Sequence, residues 1–364
     1  FSRGEGVEGG EGQKRPLSKF SRGEGVEGGE GQKNFSFRAM GTLCQVTFAT
    51  GSRVAGSIIR PLPLQTSPSQ NSAGGEGVEG GEGQKDFKLA VVDWVAGFEA
   101  RYSRFIPESL VSQINQAAGK SWTEVDEETD RIFALCHELF FLTRGAFDPT
   151  ALPLIRLWNW KASPPVIPTD EQIRAAKDLV GWSKIQRRKG AVFLPQAGMS
   201  LDLGGVGKEY AVDRVMQLAA QHGIANVLVD FGQDLCMRGA LTGKPAWHIG
   251  LEDPANPGKC WTGLAIKDKA VATSGDYLRN FTINGRRYGH IIDPRSGYPV
   301  DNGCRAVSVI APTCTIAGVL STTAFILGPT EGLNLIGNYL GADGCISTDT
   351  SRYETRRFHE YVTH

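Results

Sequence analysis

β-branched and aromatic residues crowd Phe35–Thr50 (FSFRAMGTLCQVTFAT), which predicts strand structure with a break or bulge at Met40-Gly41-Thr42. Leu89, Val92, Trp94, Val95 and Phe98 recur at close to helical spacing and predict a helix over Asp86–Tyr102. Pro107-Glu108-Ser109 reads as a turn into a short helix within Ser103–Asn115. Ile132, Phe133, Leu135, Cys136, Leu139 and Phe140 predict an amphipathic helix over Asp126–Thr143, closed by Arg144-Gly145. A shorter helix is expected over Gln172–Leu179. Residues 199–240 read as strand (Met199–Leu203), glycine loop (Gly204–Lys208), helix (Lys208–His222) and strand (Val227–Phe231). Short strands follow at Trp247–Leu251, Gly263–Val271, Asn280–Ile283, Arg287–Ile292 and Ala306–Ile310, then a helix over Thr315–Leu327 that ends at Gly328-Pro329. Helices and strands mix without strict βαβ alternation, so the fold class expected is α+β rather than a doubly wound sheet.

A repeat interrupts this pattern. FSRGEGVEGGEGQK occurs at 1–14 and again at 20–33, and GEGVEGGEGQK at 75–85 behind a Pro/Ser/Gln/Asn-rich stretch, 61–74. Gly and Glu with a single Val cannot bury a core. The irregular spacing argues against a solenoid. The expected organisation is a disordered low-complexity segment at 1–33 and one folded domain at 34–364, with a loop insertion at about 51–85.

Composition narrows the picture further. The formal net charge is zero, which argues against a nucleic-acid partner or electrostatic docking on a membrane. Seven cysteines include no CxxC pair, and the odd number cannot be fully paired within the chain. Cys44, Cys136 and Cys314 lie in apolar surroundings and read as small core residues. No run reaches transmembrane length. A chain that starts at Phe1 leaves room for a removed signal peptide or lipid anchor, the one route to a membrane expected here.

Four groups could carry chemistry. Asp202-Leu203-Gly204-Gly205-Val206-Gly207-Lys208 is a glycine-rich turn feeding a helix; it suits a phosphate, or serves as a tight strand-to-helix turn. It matches neither a Walker A loop nor GxGxxG. Gly145-Ala146-Phe147-Asp148-Pro149-Thr150 offers Asp148 as a ligand acceptor or, more simply, a turn cap. Ser274, Asp276, His290 and Asp293 crowd the densest polar stretch, with His290 and Asp276 as the catalytic candidates. Gly318-Val319-Leu320-Ser321-Thr322-Thr323 brings hydroxyls that either ligate a hard cation or bond back to their own helix.

The order of these groups, from Met40-Gly41-Thr42 through Gly145–Pro149, Asp202–Lys208 with Tyr210–Asp213, and Thr273–Tyr277 to His290–Pro294 with Gly297-Tyr298-Pro299, resembles the ApbE family of FAD:protein FMN transferases over about residues 35–336. The resemblance implies an ApbE-like α+β fold, FAD as donor, Mg²⁺, a target protein carrying an acceptor Thr, and release of AMP. It implies flavin contacts at Met40, Phe105, Ala146, Phe147, Asp148, Asp202, Lys208, His290 and Ile291, and metal ligands at Gly205, Gly318, Ser321 and Thr322. It also implies work outside the cytoplasm, in the periplasm or on the outer face of the inner membrane. Two residues depart from the family pattern: Gly318, where an Asp is usual, and Ile106, where a basic residue is common. Loss of the Asp leaves two alternatives beside transfer: hydrolysis of FAD to FMN and AMP, or FAD binding without turnover. Asp276 or Asp293 could replace that carboxylate in space.

Overall fold

The structure, a computed structural model, describes residues 32–49 and 82–363. Most of the repeat copies and the 61–74 stretch lie outside these residues. The exceptions are Gln32–Lys33, which belong to a strand, and Glu82–Lys85, which belong to a helix, so the ends of the second and third copies are part of described elements.

An eight-stranded, wholly antiparallel sheet forms the centre. Its strands run, in spatial order, Gln32–Ala39, Thr42–Ala49, Val227–Phe231, Asp234–Arg238, Ala270–Gly275, Cys304–Ala311, Asp343–Thr348 and Arg352–Glu354. The break expected at Met40-Gly41 is a two-residue hairpin turn, with φ of 55° and 72°, the left-handed pair that such a turn needs.

One face of the sheet carries the helices Glu82–Tyr102, Gly207–Gln221, Cys314–Leu327 and Pro329–Asn338. The other carries a three-stranded sheet, Val362–Thr363, Cys260–Ile266 and Trp247–Glu252. The period of two sorts the side chains between them. Ala270 and Ala272 join the helical core, while Val271 joins Met237, Trp247, Leu264 and Phe358 on the far side. A second core gathers Phe98, Ile132, Phe133, Cys136, Trp182 and Leu201. All seven cysteines are free, and only Cys260 is exposed.

Several expectations shift. The buried stripe of the first helix is Phe87, Val91, Val95, Phe98 and Tyr102, while Leu89 is exposed. Met199–Leu203 is not a strand. Asn115 supplies both of Leu201's backbone partners, at 2.6 Å to its N and 3.0 Å to its O, and Asp202 N donates to Pro149 O at 2.8 Å. These bonds replace a strand ladder. Gly263–Val271 divides into two strands belonging to different sheets.

Candidate active site

Two packed helices set the register of the site. Asp213, in the helix Gly207–Gln221, accepts from Cys314 N (2.7 Å), Thr315 N (2.9 Å) and Thr315 Oγ1 (2.7 Å). Its carboxylate therefore satisfies the first turn of the helix Cys314–Leu327. One helical turn before Asp213 stands Glu209; one turn after Cys314 stands Gly318. The two face each other. A Cβ placed on Gly318 would lie 2.6 Å from Glu209 Cγ and 3.0 Å from its Oε1. Glu209 lies in the room that a side chain at 318 would fill.

Lys208 and Asp234 form an ion pair beside this contact, and Lys208 Nζ also lies 3.5 Å from Gly232 O. Burial pulls the Lys208 ammonium down, but Asp234 and then Glu209 reverse this, so it holds its proton above the ordinary lysine range. Asp234 arrives on a tight turn whose Gly232 and Gln233 have φ of 63° and 76°. Glu209 is 8% exposed, and its Oε2 has no hydrogen-bond partner. Burial first, then Asp234, raises its carboxyl well above the ordinary range. One lysine thus faces two buried carboxylates.

Hydroxyls complete this corner. Ser274 Oγ is 2.8 Å from both Ser321 Oγ and Thr322 Oγ1, and Ser321 Oγ donates to Gly318 O at 2.9 Å. The backbone bond expected for such hydroxyls is present at Ser321, and the cluster still opens on a cavity. Among the described residues no group of three or more His, Cys, Asp or Glu side chains is arranged to hold a metal ion. The oxygen donors here are Glu209 with hydroxyls and a carbonyl, the kind of set that hard dications take.

Two cavities, of about 410 Å³ and about 390 Å³, adjoin along Asp202, Gly204, Lys208, Gly232 and Arg279. The first holds Phe147, Tyr277, His290 and the Glu209–Ser321–Thr322 corner. The second holds Met40, Phe98, Tyr102 and Phe105. The glycine turn lies where they meet, so a ligand with two bulky ends and a charged middle could span both.

The residues singled out from the sequence divide accordingly. Ala146, Phe147, Asp148, Asp202, Gly205, Lys208, His290, Ile291, Gly318, Ser321 and Thr322 line the first cavity. Met40 and Phe105 line the second, where Phe105 is 78% exposed under the Arg104 guanidinium, 4.2 Å from its ring centroid. Asp202 Oδ1 accepts from Gly204 N at 2.9 Å and Oδ2 pairs with Arg104 at 3.0 Å, tying the glycine turn to the second cavity. Asp148 acts as the turn cap. Its Oδ1 accepts from Thr150 N and Oγ1 (2.8 and 2.6 Å), and its Oδ2 from Trp182 N (3.1 Å).

Asp276 and Asp293 do not line either cavity. Asp276 pairs with Arg287 at 2.9 Å beneath the Asn280–Gly289 hairpin, and burial pushes its carboxyl up to about 6. Asp293 accepts from Arg295 N, Nε and Nη2, each at 2.9 Å, holding the Asp-Pro-Arg-Ser-Gly turn. Neither replaces a carboxylate at 318. His290 is held neutral: burial, then the charge of Arg279, pulls its pKa down to about 4, and its Nδ1 has no partner. Ile106 lies outside both cavities.

Sequence reasoning missed Glu209, Asp234 and Arg279. A signal existed for the first. Glu209, Val212, Met216 and Ala219 share one buried helical stripe, and a carboxylate on an apolar stripe needs a reason.

Comparisons with known proteins bear on the family and the fold. The model of the ApbE family matches residues 40–345. The FAD:protein FMN transferase of Treponema pallidum is 32% identical over 255 residues, covering 65% of this chain and 70% of that protein. The one from Vibrio cholerae is 30% identical over 234 residues, covering 64% and 70%. Among solved structures, the ApbE protein of Thermotoga maritima superposes with a TM-score of 0.75 at 27% identity, over 92% of this chain and 100% of its own. A flavin transferase ApbE from Vibrio cholerae gives 0.73 at 24% identity, over 91% and 99%, a likeness of fold.

Proposed function

We propose that this chain, which belongs to the ApbE family and has its α+β fold, transfers FMN from FAD to a threonine hydroxyl of a target protein and releases AMP. The observation that carries the reading is the pair of cavities joined at Gly204 and Lys208. FAD has the matching shape: an aromatic group at each end and a diphosphate between them.

In the reaction the acceptor oxygen forms a bond to the phosphorus of the FMN half, the bond from that phosphorus to the AMP oxygen breaks, and the hydroxyl proton leaves to a base. Such a transfer needs mainly positioning and charge neutralisation. Phe147 and Ile291 give one end of the substrate apolar walls, and Met40 and Phe105 the other. Asp202, bound to Gly204 N and Arg104, fixes the turn under the diphosphate. Neutral His290, which lines the cavity and whose buried Nδ1 has no partner, is the group proposed to take the proton. Glu209, Ser274, Thr322 and the Gly318 carbonyl fit a magnesium ion, since they line one cavity, offer hard oxygen donors and include a buried carboxylate oxygen without a partner. When bound, that ion would neutralise charge on the diphosphate. Action outside the cytoplasm, implied by the family resemblance, belongs to the same proposal.

The test is AMP release from FAD and Mg²⁺, with and without an acceptor protein of a bacterial relative. Release only with acceptor supports transfer. Equal release without it means water takes the hydroxyl's place. Tight FAD binding with no AMP in either arm leaves a binding protein.

A further inference from the structure

We propose that Glu209 has exchanged places with residue 318: it supplies, from the opposite helix, the carboxylate of a divalent-cation site completed by Ser274, Thr322 and the Gly318 carbonyl. The proposal rests on the transferase reading for the cation's purpose, but its geometry stands apart from that reading.

The register comes first. The Asp213 bonds to Cys314 and Thr315 lock the two helices so that 209 and 318 meet one turn further along. Only a residue without a side chain fits opposite Glu209, because a Cβ at 318 would come within 2.6 Å of its Cγ. Gly318 sits inside a helix, in its second turn, with no positive φ to explain a glycine. Glycine there costs about 1 kcal/mol of helix propensity against alanine. The space it leaves to Glu209 accounts for it.

Charge comes second. Lys208 neutralises Asp234, and among the described residues no second cation side chain is bonded to Glu209, whose Oε2 is buried without a partner. A buried polar group left in this state is costly. Ser274, Thr322 and Gly318 line the same cavity as Glu209 and offer neutral oxygen donors, and such a set beside a carboxylate calls for a hard cation rather than an anion. A side chain at 318 would start in the room that Glu209 fills, so only one of the two positions can supply a carboxylate there.

The test is direct binding of Mn²⁺, read by loss of the free-ion paramagnetic resonance signal, on the full chain with and without FAD. Wild type should bind one ion. Glu209→Gln keeps the shape and removes the charge; it should weaken Mn²⁺ at least about tenfold while its circular dichroism spectrum stays near wild type. The double variant Glu209→Gly with Gly318→Asp should recover most of the lost affinity. Unchanged Mn²⁺ affinity in folded Glu209→Gln overturns the proposal, as does a folded wild type that binds no Mn²⁺ with FAD present. Failure of the transferase reading has a different signature: Glu209-dependent Mn²⁺ binding with no AMP released under any condition.

Discussion

Replacing Gly318 by alanine probes the contact on which the site turns. In an ordinary helix interior the change should stabilise by about 1 kcal/mol, because glycine carries more backbone entropy in the unfolded chain. Here the new methyl would sit 2.6 Å from Glu209 Cγ and 3.1 Å from its Cδ. The atom struck is Cγ, close to the Glu209 backbone, so swinging the carboxyl aside does not by itself relieve the contact. Overpacking of this kind costs about 1–3 kcal/mol, so the gain is cancelled and the net effect should be a loss of up to about 2 kcal/mol. Shortening Glu209 to alanine removes the clash, and Gly318→Ala should then recover its ordinary gain. The coupling between the two changes should be about 2 kcal/mol. Chemical denaturation of the four proteins of this double-mutant cycle, free of flavin and metal, measures it. Should Gly318→Ala stabilise both backgrounds equally, Glu209 does not occupy the space opposite 318, and the register argument fails.

Other outcomes follow from the same geometry. Lys208→Ala should cost about 2–4 kcal/mol of stability, because it strands two buried carboxylates; a melt unchanged from wild type would remove the ion pair from the account. Asp213→Ala should lose about 2–3 kcal/mol by freeing Cys314 N and Thr315 N, and it should also weaken Mn²⁺ binding by loosening the 209–318 register. His290 should titrate near 4 rather than at the ordinary 6.5. Its folded pKa lies below the unfolded one, so its share of stability is present above about pH 6.5 and is lost as pH falls toward 4. Nuclear magnetic resonance of the ring protons reads the midpoint, and a midpoint at 6.5 would mean that His290 is not buried in the cavity.

Much of this site was legible in the chain, and the illegible part has physical causes. The Met40-Gly41 break, the Asp126 and Ser109 helix starts and the turn at Gly328-Pro329 follow from turn and cap chemistry, which is local. Asp234–Arg238 and Asp343–Thr348 escaped because they are buried almost throughout and show no alternation. Met199–Leu203 looked like a strand because it is apolar and buried, but Asn115, 86 residues away, takes its hydrogen bonds. The ordered motifs pointed to the cavity as a whole. The pairing of 209 with 318 lay beyond them, since it depends on how two helices cross, and a missing carboxylate at one position says nothing of a gained one 109 residues earlier until Asp213 fixes the crossing.

Transfer of FMN by this chain is read from the intact mass of an acceptor protein incubated with it, FAD and Mg²⁺. The acceptor should gain one FMN less one water, with an equal amount of AMP in solution. An acceptor of unchanged mass, with AMP absent or accompanied by free FMN, would rule transfer out.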